Sequence, residues 1–290
     1  MSPRDRLAAL AQSGGQRVAQ YTGMATPGLH MTPAFLICGA QRCGTTSMYQ
    51  ALRRHPDVLR PVLRKGVHYF DVAPERSVNW YRAHFPFTAQ AALRSRRTGR
   101  ATVTFESSPY YLFHPLAAAR IARTLPDVTV LILLRDPVER AYSAHAHELA
   151  RGFETEPFER ALELEDERVG GEEEKLIADP AYLSPAHQHQ AYVRRGFYFD
   201  QVRRMVDAVG RDRVHVVDAD DFFLDPEPVW DAVVDFLGLA PQAGREFRRH
   251  NARPRSPMPA QLRARLTERF TESDERLEQW WGRVPSWRRG

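Results

Sequence analysis

Phe35-Leu-Ile-Cys-Gly-Ala-Gln-Arg-Cys-Gly-Thr-Thr-Ser47 decides the reading of this chain. Residues 34–39 are an apolar run ending in glycine, which predicts a buried parallel strand. The run enters a glycine-bearing turn, and residues 46–54 then read as a helix stopped by His55-Pro56. Backbone N–H groups in the first turn of such a helix lack intrahelical partners, and the helix dipole is positive there, so the turn can cradle an oxyanion. Gly39 and Gly44 have the spacing of a nucleotide-triphosphate loop, but Thr45 stands where that loop's lysine belongs. Arg42 supplies a cation inside the loop instead, and Thr45 and Thr46 add hydroxyls. The difference argues against ordinary ATP or GTP hydrolysis.

A second strand is predicted over 128–134, where every residue is apolar or β-branched. It ends in Arg135-Asp-Pro137. Asp136 suits the cap of the next helix, Pro137 its first turn, and Glu139 the capping-box position. That helix should run to about residue 150. Arg135 and Ser143, eight residues apart across the turn, can both face one further phosphate. Together the two anion grips point to a doubly phosphorylated nucleotide.

The rest of the chain reads as alternating strands and helices. Strands are expected over 101–105 and 213–218, a short strand or extended segment over 67–70, and helices near 80–85, 115–124, 226–237 and 259–281. A long amphipathic helix over 185–209 is expected to break near Gly196, and the acidic stretch 154–179 to form an excursion. The pattern predicts α/β class: one three-layer domain over 33–290 around a central parallel sheet, preceded by a helical or irregular arm over 1–32.

Composition narrows the classes. Among 290 residues, 43% are apolar and 27% charged, proportions of a globular protein with a substantial core. No apolar run approaches the roughly 20 residues of a membrane helix, and residues 7–20 lack the apolar core of a secretion signal. Cys38 and Cys43 both fall at the phosphate loop and read as free thiols in a reducing compartment, hence a cytoplasmic protein. The net charge of +5 favours anionic ligands. Neither paired stacking aromatics nor zinc-finger spacing occurs, so a nucleic-acid partner is not expected. Nothing in the chain fixes the oligomeric state.

With these motifs in hand, the chain resembles the sulfotransferases that use 3′-phosphoadenosine 5′-phosphosulfate (PAPS), closest in motifs to the heparan-sulfate type and related bacterial enzymes. Gln41-Arg-Cys-Gly-Thr-Thr46 resembles their 5′-phosphosulfate loop, with Arg42 in place of the usual lysine. Ile132-Leu-Leu-Arg-Asp-Pro-Val-Glu-Arg-Ala-Tyr-Ser143 resembles their 3′-phosphate motif. Lys65-Gly-Val-His-Tyr-Phe-Asp71, Thr104-Phe-Glu-Ser-Ser-Pro-Tyr-Tyr111 and Arg195-Gly-Phe-Tyr198 follow in family order. The resemblance covers about 34–239 and implies a P-loop-like fold. It also implies sulfuryl transfer from PAPS to an acceptor, releasing adenosine 3′,5′-bisphosphate (PAP), without a metal.

The resemblance assigns Gln41, Arg42, Cys43, Gly44, Thr45 and Thr46 to the 5′-phosphosulfate and Arg135 and Ser143 to the 3′-phosphate. Arg195 and Gly196 lie where the family approaches the adenosine and 3′-phosphate. Arg253 and Arg255 loosely resemble its cofactor-closing segment. The family's catalytic glutamate falls at Gly66, which cannot take a proton. His68 is the local replacement, its ordinary pKa suiting general-base work; Glu106 either takes that role or orients His68. Lys65 matches a family lysine able to neutralise the sulfonate, or else pairs with Glu106. The expected acceptor is a hydroxyl of a small metabolite, lipid or glycan. Tyr69, Phe70, Tyr110, Tyr111 and Phe113 either line its cleft or pack the core, and His187 and His189 are expected at the surface.

Overall fold

A computed structural model describes residues 24–242, 247 and 257–289. Five strands form one parallel sheet: β1 Phe35–Gly39, β2 Val58–Leu59, β3 Val103–Ser107, β4 Thr129–Leu134 and β5 Val214–Asp218. Their spatial order is β2-β3-β1-β4-β5. Phe35 of β1 registers with Phe105 on one side and Thr129 on the other, so β1 is central. Its side chains and those of β4 are buried on both faces, as their unbroken apolar sequence requires of a covered parallel sheet.

The main helices are α1 Thr45–Leu52, α2 Thr88–Thr98, α3 Ala117–Thr124, α4 Pro137–Arg151, α5 Tyr198–Val209, α6 Pro226–Phe236 and α7 Ala260–Trp281. Leaving β1 the chain moves toward β2, whereas from β3 and from β4 it moves the opposite way. Right-handed crossovers therefore place α1 on one face and α3 and α5 together on the other. Accordingly α1 packs on β1 and β3, and α3 packs on α5. The reversal of direction opens a crevice at the carboxyl end of β1, where ligands of open parallel sheets bind.

The expected α/β architecture holds, with local differences. Residues 67–70, expected as a short strand or extended segment, join no strand ladder and enter a turn at 69–70: Glu106, Ser108 and Tyr111 bind the backbone N–H groups of Val67, His68 and Tyr69. β2 and α2 were not foreseen. The first spans only two residues, and the second buries little beyond Ala91, so neither carries a strong apolar pattern. The stretch 154–179 folds into three short helices, Phe158–Glu163, Glu165–Val169 and Glu172–Ala178. The segment from 185 breaks as expected, into Pro185–His189, a 3-10 turn Arg194–Gly196, and α5. Of the expected arm, residues 1–23 lie outside the described residues, and His30 forms an antiparallel bridge to Phe87.

Candidate active site

α1 begins at the carboxyl end of β1, and its cap position is Gly44 (φ 80°), which has no side chain to cap the first turn. By contrast Asp136 accepts the N–H groups of Val138 (2.8 Å) and Glu139 (3.4 Å) and caps α4, as the sequence predicted. Asp218 does the same for Ala219–Leu224. The start of α1 thus differs from those of α4 and Ala219–Leu224 in having no side chain at its cap, and it carries the positive end of the helix dipole.

Arg42 adopts a left-handed backbone (φ 71°), and its Nε donates to Ser143 Oγ at 3.0 Å. The 5′ loop and the 3′ segment therefore meet through the two side chains assigned to different phosphates. Arg135, at the end of β4, keeps 23% of its side chain exposed and lies 3.6 Å from Asp220 and 3.8 Å from Glu139. The Tyr198 hydroxyl donates to the Arg135 carbonyl at 2.9 Å and lies 3.7 Å from Cys43 Sγ, tying the loop after β1 and the end of β4 to α5.

Other loop residues are placed differently from expectation. Gln41 donates to Glu148 (3.0 Å) and accepts from Arg195 (2.6 Å), so its side chain braces the loop from behind. The Cys43 thiol is buried, and burial pushes its pKa up to about 11; it is an inert packing group. Thr45 is buried, while Thr46 Oγ1 accepts from Lys65 Nζ at 3.0 Å.

Lys65 is not paired with Glu106. It sits 5.6 Å from the Tyr49 ring centroid, and burial pulls its ammonium down to about 8. Because its bonded partner among the described residues is a hydroxyl on the first turn of α1, the ammonium lies beside the start of that helix.

His68 is half-buried, with 35% of its side chain exposed, and also has a positive φ (57°). Its Nδ1 is 2.8 Å from Oδ2 of Asp71, whose side chain is fully buried. Burial alone would lower the imidazole's pKa; the Asp71 charge and hydrogen bond, with Glu106 behind, outweigh it and hold the ring above its ordinary value. Glu106 does not touch the ring. Its carboxylate accepts from the Val67 N–H (2.7 Å), Ser108 Oγ (3.0 Å), the Tyr81 hydroxyl (2.9 Å) and the Tyr111 hydroxyl (3.0 Å). The group is 0% exposed, and burial raises its pKa against those donors. Expected as base or as direct partner of His68, Glu106 is a structural hub: its link to His68 runs through Ser108, whose Oγ accepts the His68 N–H at 3.1 Å.

Gly66 is explained by the same packing. A Cβ there would lie 2.5 Å from the Ser107 carbonyl and 2.9 Å from Ser108 Oγ. Arg195, expected at the nucleotide, is enclosed instead: besides Gln41 it donates to the carbonyls of His187 (3.2 Å) and Gln188 (2.6 Å) and covers the rings of Tyr110 and Phe113. Gly196 does allow a close approach, but of α7 and α4: a Cβ there would meet Phe270 at 2.5 Å and Pro137 at 3.1 Å. Arg253 and Arg255 lie outside the described residues.

Tyr69, Phe70, Tyr110, Tyr111 and Phe113 are all buried, their rings packed in the core. His187 is buried too, stacked on Phe113 and bonded to the Tyr110 hydroxyl at 2.8 Å, with burial forcing its pKa down to about 2. His189 stacks on Phe153 and binds Glu148 at 3.1 Å. Asp71, Ser108 and Glu148 escaped the sequence reading. Only Asp71 left a signal there, three residues beyond His68 on the same short motif. Among the described residues, no group of three His, Cys, Asp or Glu side chains is placed to hold a metal, and no helix is long and apolar enough to cross a membrane.

The chain is 32% identical to a sulfotransferase of known crystal structure from Alicyclobacillus acidocaldarius, the match covering 89% of this chain and 99% of that one with a TM-score of 0.64. It is 23% identical to the membrane-associated sulfotransferase kil1 of Dictyostelium discoideum over 84% of its length. It is 30% identical to human heparan sulfate glucosamine 3-O-sulfotransferase 6 over 73% of its length. The alignments span only 64% and 54% of those two relatives. Residues 32–252 match the sulfotransferase domain family, and the chain belongs to that family.

Proposed function

We propose that the protein transfers a sulfuryl group from PAPS to a hydroxyl of a small metabolite, lipid or glycan, with His68 as the base and PAP as the nucleotide product. The observation that carries this reading is the 3.0 Å contact between Arg42 and Ser143 at the uncapped start of α1. It concentrates donors for two separate phosphates in one crevice. The residues fit such a nucleotide in charge and donor type: N–H groups of the α1 start, the guanidinium groups of Arg42 and Arg135, the ammonium of Lys65 and the hydroxyl of Ser143.

When bound, PAPS supplies an activated sulfuryl group whose departure leaves negative charge on the 5′-phosphate. Arg42 and the α1 N–H groups bind that phosphate and stabilise the charge that grows on it, which favours the transition state over the ground state. Lys65, held on Thr46, neutralises the sulfonate. Arg135 and Ser143 hold the 3′-phosphate and thereby fix the nucleotide's register. His68 takes the acceptor proton at its free nitrogen, Nε2, while Asp71 orients the ring through Nδ1 and favours the imidazolium that forms. The close approach at Gly66 supports a base other than a glutamate there. Three cationic side chains around the crevice suit an anionic nucleotide; the acceptor is defined only as a hydroxyl compound.

Calorimetric titration with PAP, adenosine 5′-phosphate and ATP tests the nucleotide assignment. PAP should bind the tightest, and equal affinity for all three would refute the reading. A screen of acceptor libraries with labelled PAPS then identifies the activity and acceptor class together.

A further inference from the structure

Arg140 is one of the largest fully buried side chains of the protein, at 0% exposure. Its Nη2 donates to the Tyr192 carbonyl, whereas Nε and Nη1 are buried without a partner among the described residues. The nearby carboxylate of Glu165 feels its charge, yet both Glu165 oxygens are taken by the N–H groups of Val193 and Arg194. A buried cation with two unanswered donors is costly, and hydrophobic replacement of buried charges is often neutral or stabilising. Stability alone therefore does not account for a guanidinium at this position.

Its location suggests a use. Arg140 lies one turn before Ser143 on α4, a spacing that puts both on the same helix face. The centre of the phosphate loop senses it. After burial itself, which raises the Cys43 thiol, Arg140 is the largest influence on that group and pulls it back down. Tyr198, which joins Cys43 to the Arg135 carbonyl, feels the same charge.

We propose that Arg140 is an electrostatic positioning residue for the nucleotide phosphates: a cation held dry behind Ser143 and the loop, whose compensating charge is supplied by the bound anion. The proposal rests on the nucleotide site described above. Arg140 touches no phosphate. It strengthens the positive potential that Arg42, Arg135 and the start of α1 present in the crevice, in an interior where charge is weakly screened.

The test combines nucleotide-free thermal melting with calorimetric titration of PAP and adenosine 5′-phosphate into wild type, Arg140→Met and Arg140→Lys. Arg140→Met should melt at or above the wild-type temperature and bind PAP about 10- to 100-fold more weakly, the scale of one partly screened internal charge interaction. Its loss for adenosine 5′-phosphate, which lacks one phosphate, should be smaller. Arg140→Lys, which keeps the charge, should recover most of the affinity for PAP. Wild-type affinity in Arg140→Met, equal weakness in both variants, or a melt of Arg140→Met far below wild type would each overturn the assignment. Wild type that binds no PAP would instead overturn the nucleotide reading beneath it.

Discussion

His68 Nδ1 lies 2.8 Å from Oδ2 of a fully buried Asp71, leaving Nε2 as the nitrogen available to an acceptor. Because Asp71 stabilises the imidazolium, it strengthens the ring as a base and fixes its orientation. Replacing His68 by Ala should lower kcat about 10²- to 10⁴-fold, the usual contribution of a general base, with PAP affinity unchanged. Asp71→Asn should lower kcat less and shift the acid limb of the pH–rate profile to lower pH, since the group raising the imidazole pKa is gone. Near-normal turnover in folded His68→Ala, with chemistry rate-limiting, would remove His68 from the mechanism.

The pH profile should be a bell. Its acid limb rises as His68 loses its proton, at a pH above the ordinary imidazole value because Asp71 holds that pKa up. Its alkaline limb falls as Lys65, lowered by burial to about 8 in the free protein, loses its charge. Lys65→Arg, always charged in this range, should abolish the alkaline limb seen in kcat/KM. An unchanged alkaline limb in that variant would assign it to another group.

Arg135→Ala should weaken PAP binding by about 1.5–3 kcal/mol, the range for a hydrogen bond to a charged group. Ser143→Ala removes a neutral donor and should cost about 1 kcal/mol. Titration of the folded variants separates the two. Unaltered affinity in Arg135→Ala would dissolve the 3′-phosphate grip.

Placing a glutamate at Gly66 should not supply a working base there. Its Cβ would meet the Ser107 carbonyl at 2.5 Å, so Gly66→Glu forces the 66–71 segment away from β3. A loss of about 1–3 kcal/mol in stability is expected from such overpacking, together with lower turnover as His68 is displaced. Chemical denaturation and turnover measure both, and an unperturbed, more active variant would contradict the packing account.

Glu106→Gln should act on stability before chemistry. The carboxylate is surrounded by four donors, and a carboxamide would turn an NH₂ group toward some of them. The conflict should cost about 1–3 kcal/mol, read as a lower denaturation midpoint, while PAP affinity of the folded protein holds. A large loss of turnover at full stability would return Glu106 to the role of base.

Local sequence alone determined the elements whose signals are local. The unbroken apolar runs at β1 and β4 dictated buried parallel strands, and Asp136-Pro137 dictated where α4 starts. The glycine-bearing loop between β1 and α1, on which the proposed anion site rests, was legible because its chemistry lies in backbone N–H groups and in residues adjacent in the chain. Tertiary structure decided which polar side chains face one another. His68 could be recognised as a candidate base, but its pairing with Asp71, and not with Glu106, depends on a turn held by side chains from residues 106–111. Arg195 and Gly196 carried the composition of a ligand-binding segment, yet Gln41, loop carbonyls and Phe270 occupy them. Arg42 and Ser143 were legible as separate grips. Their meeting at 3.0 Å is a product of sheet order, since β1 and β4 are neighbours in space although about ninety residues apart in the chain. Burial, which sets the direction of the Lys65, Glu106 and His187 shifts, is a property of the packed whole and leaves little trace in any short stretch of sequence.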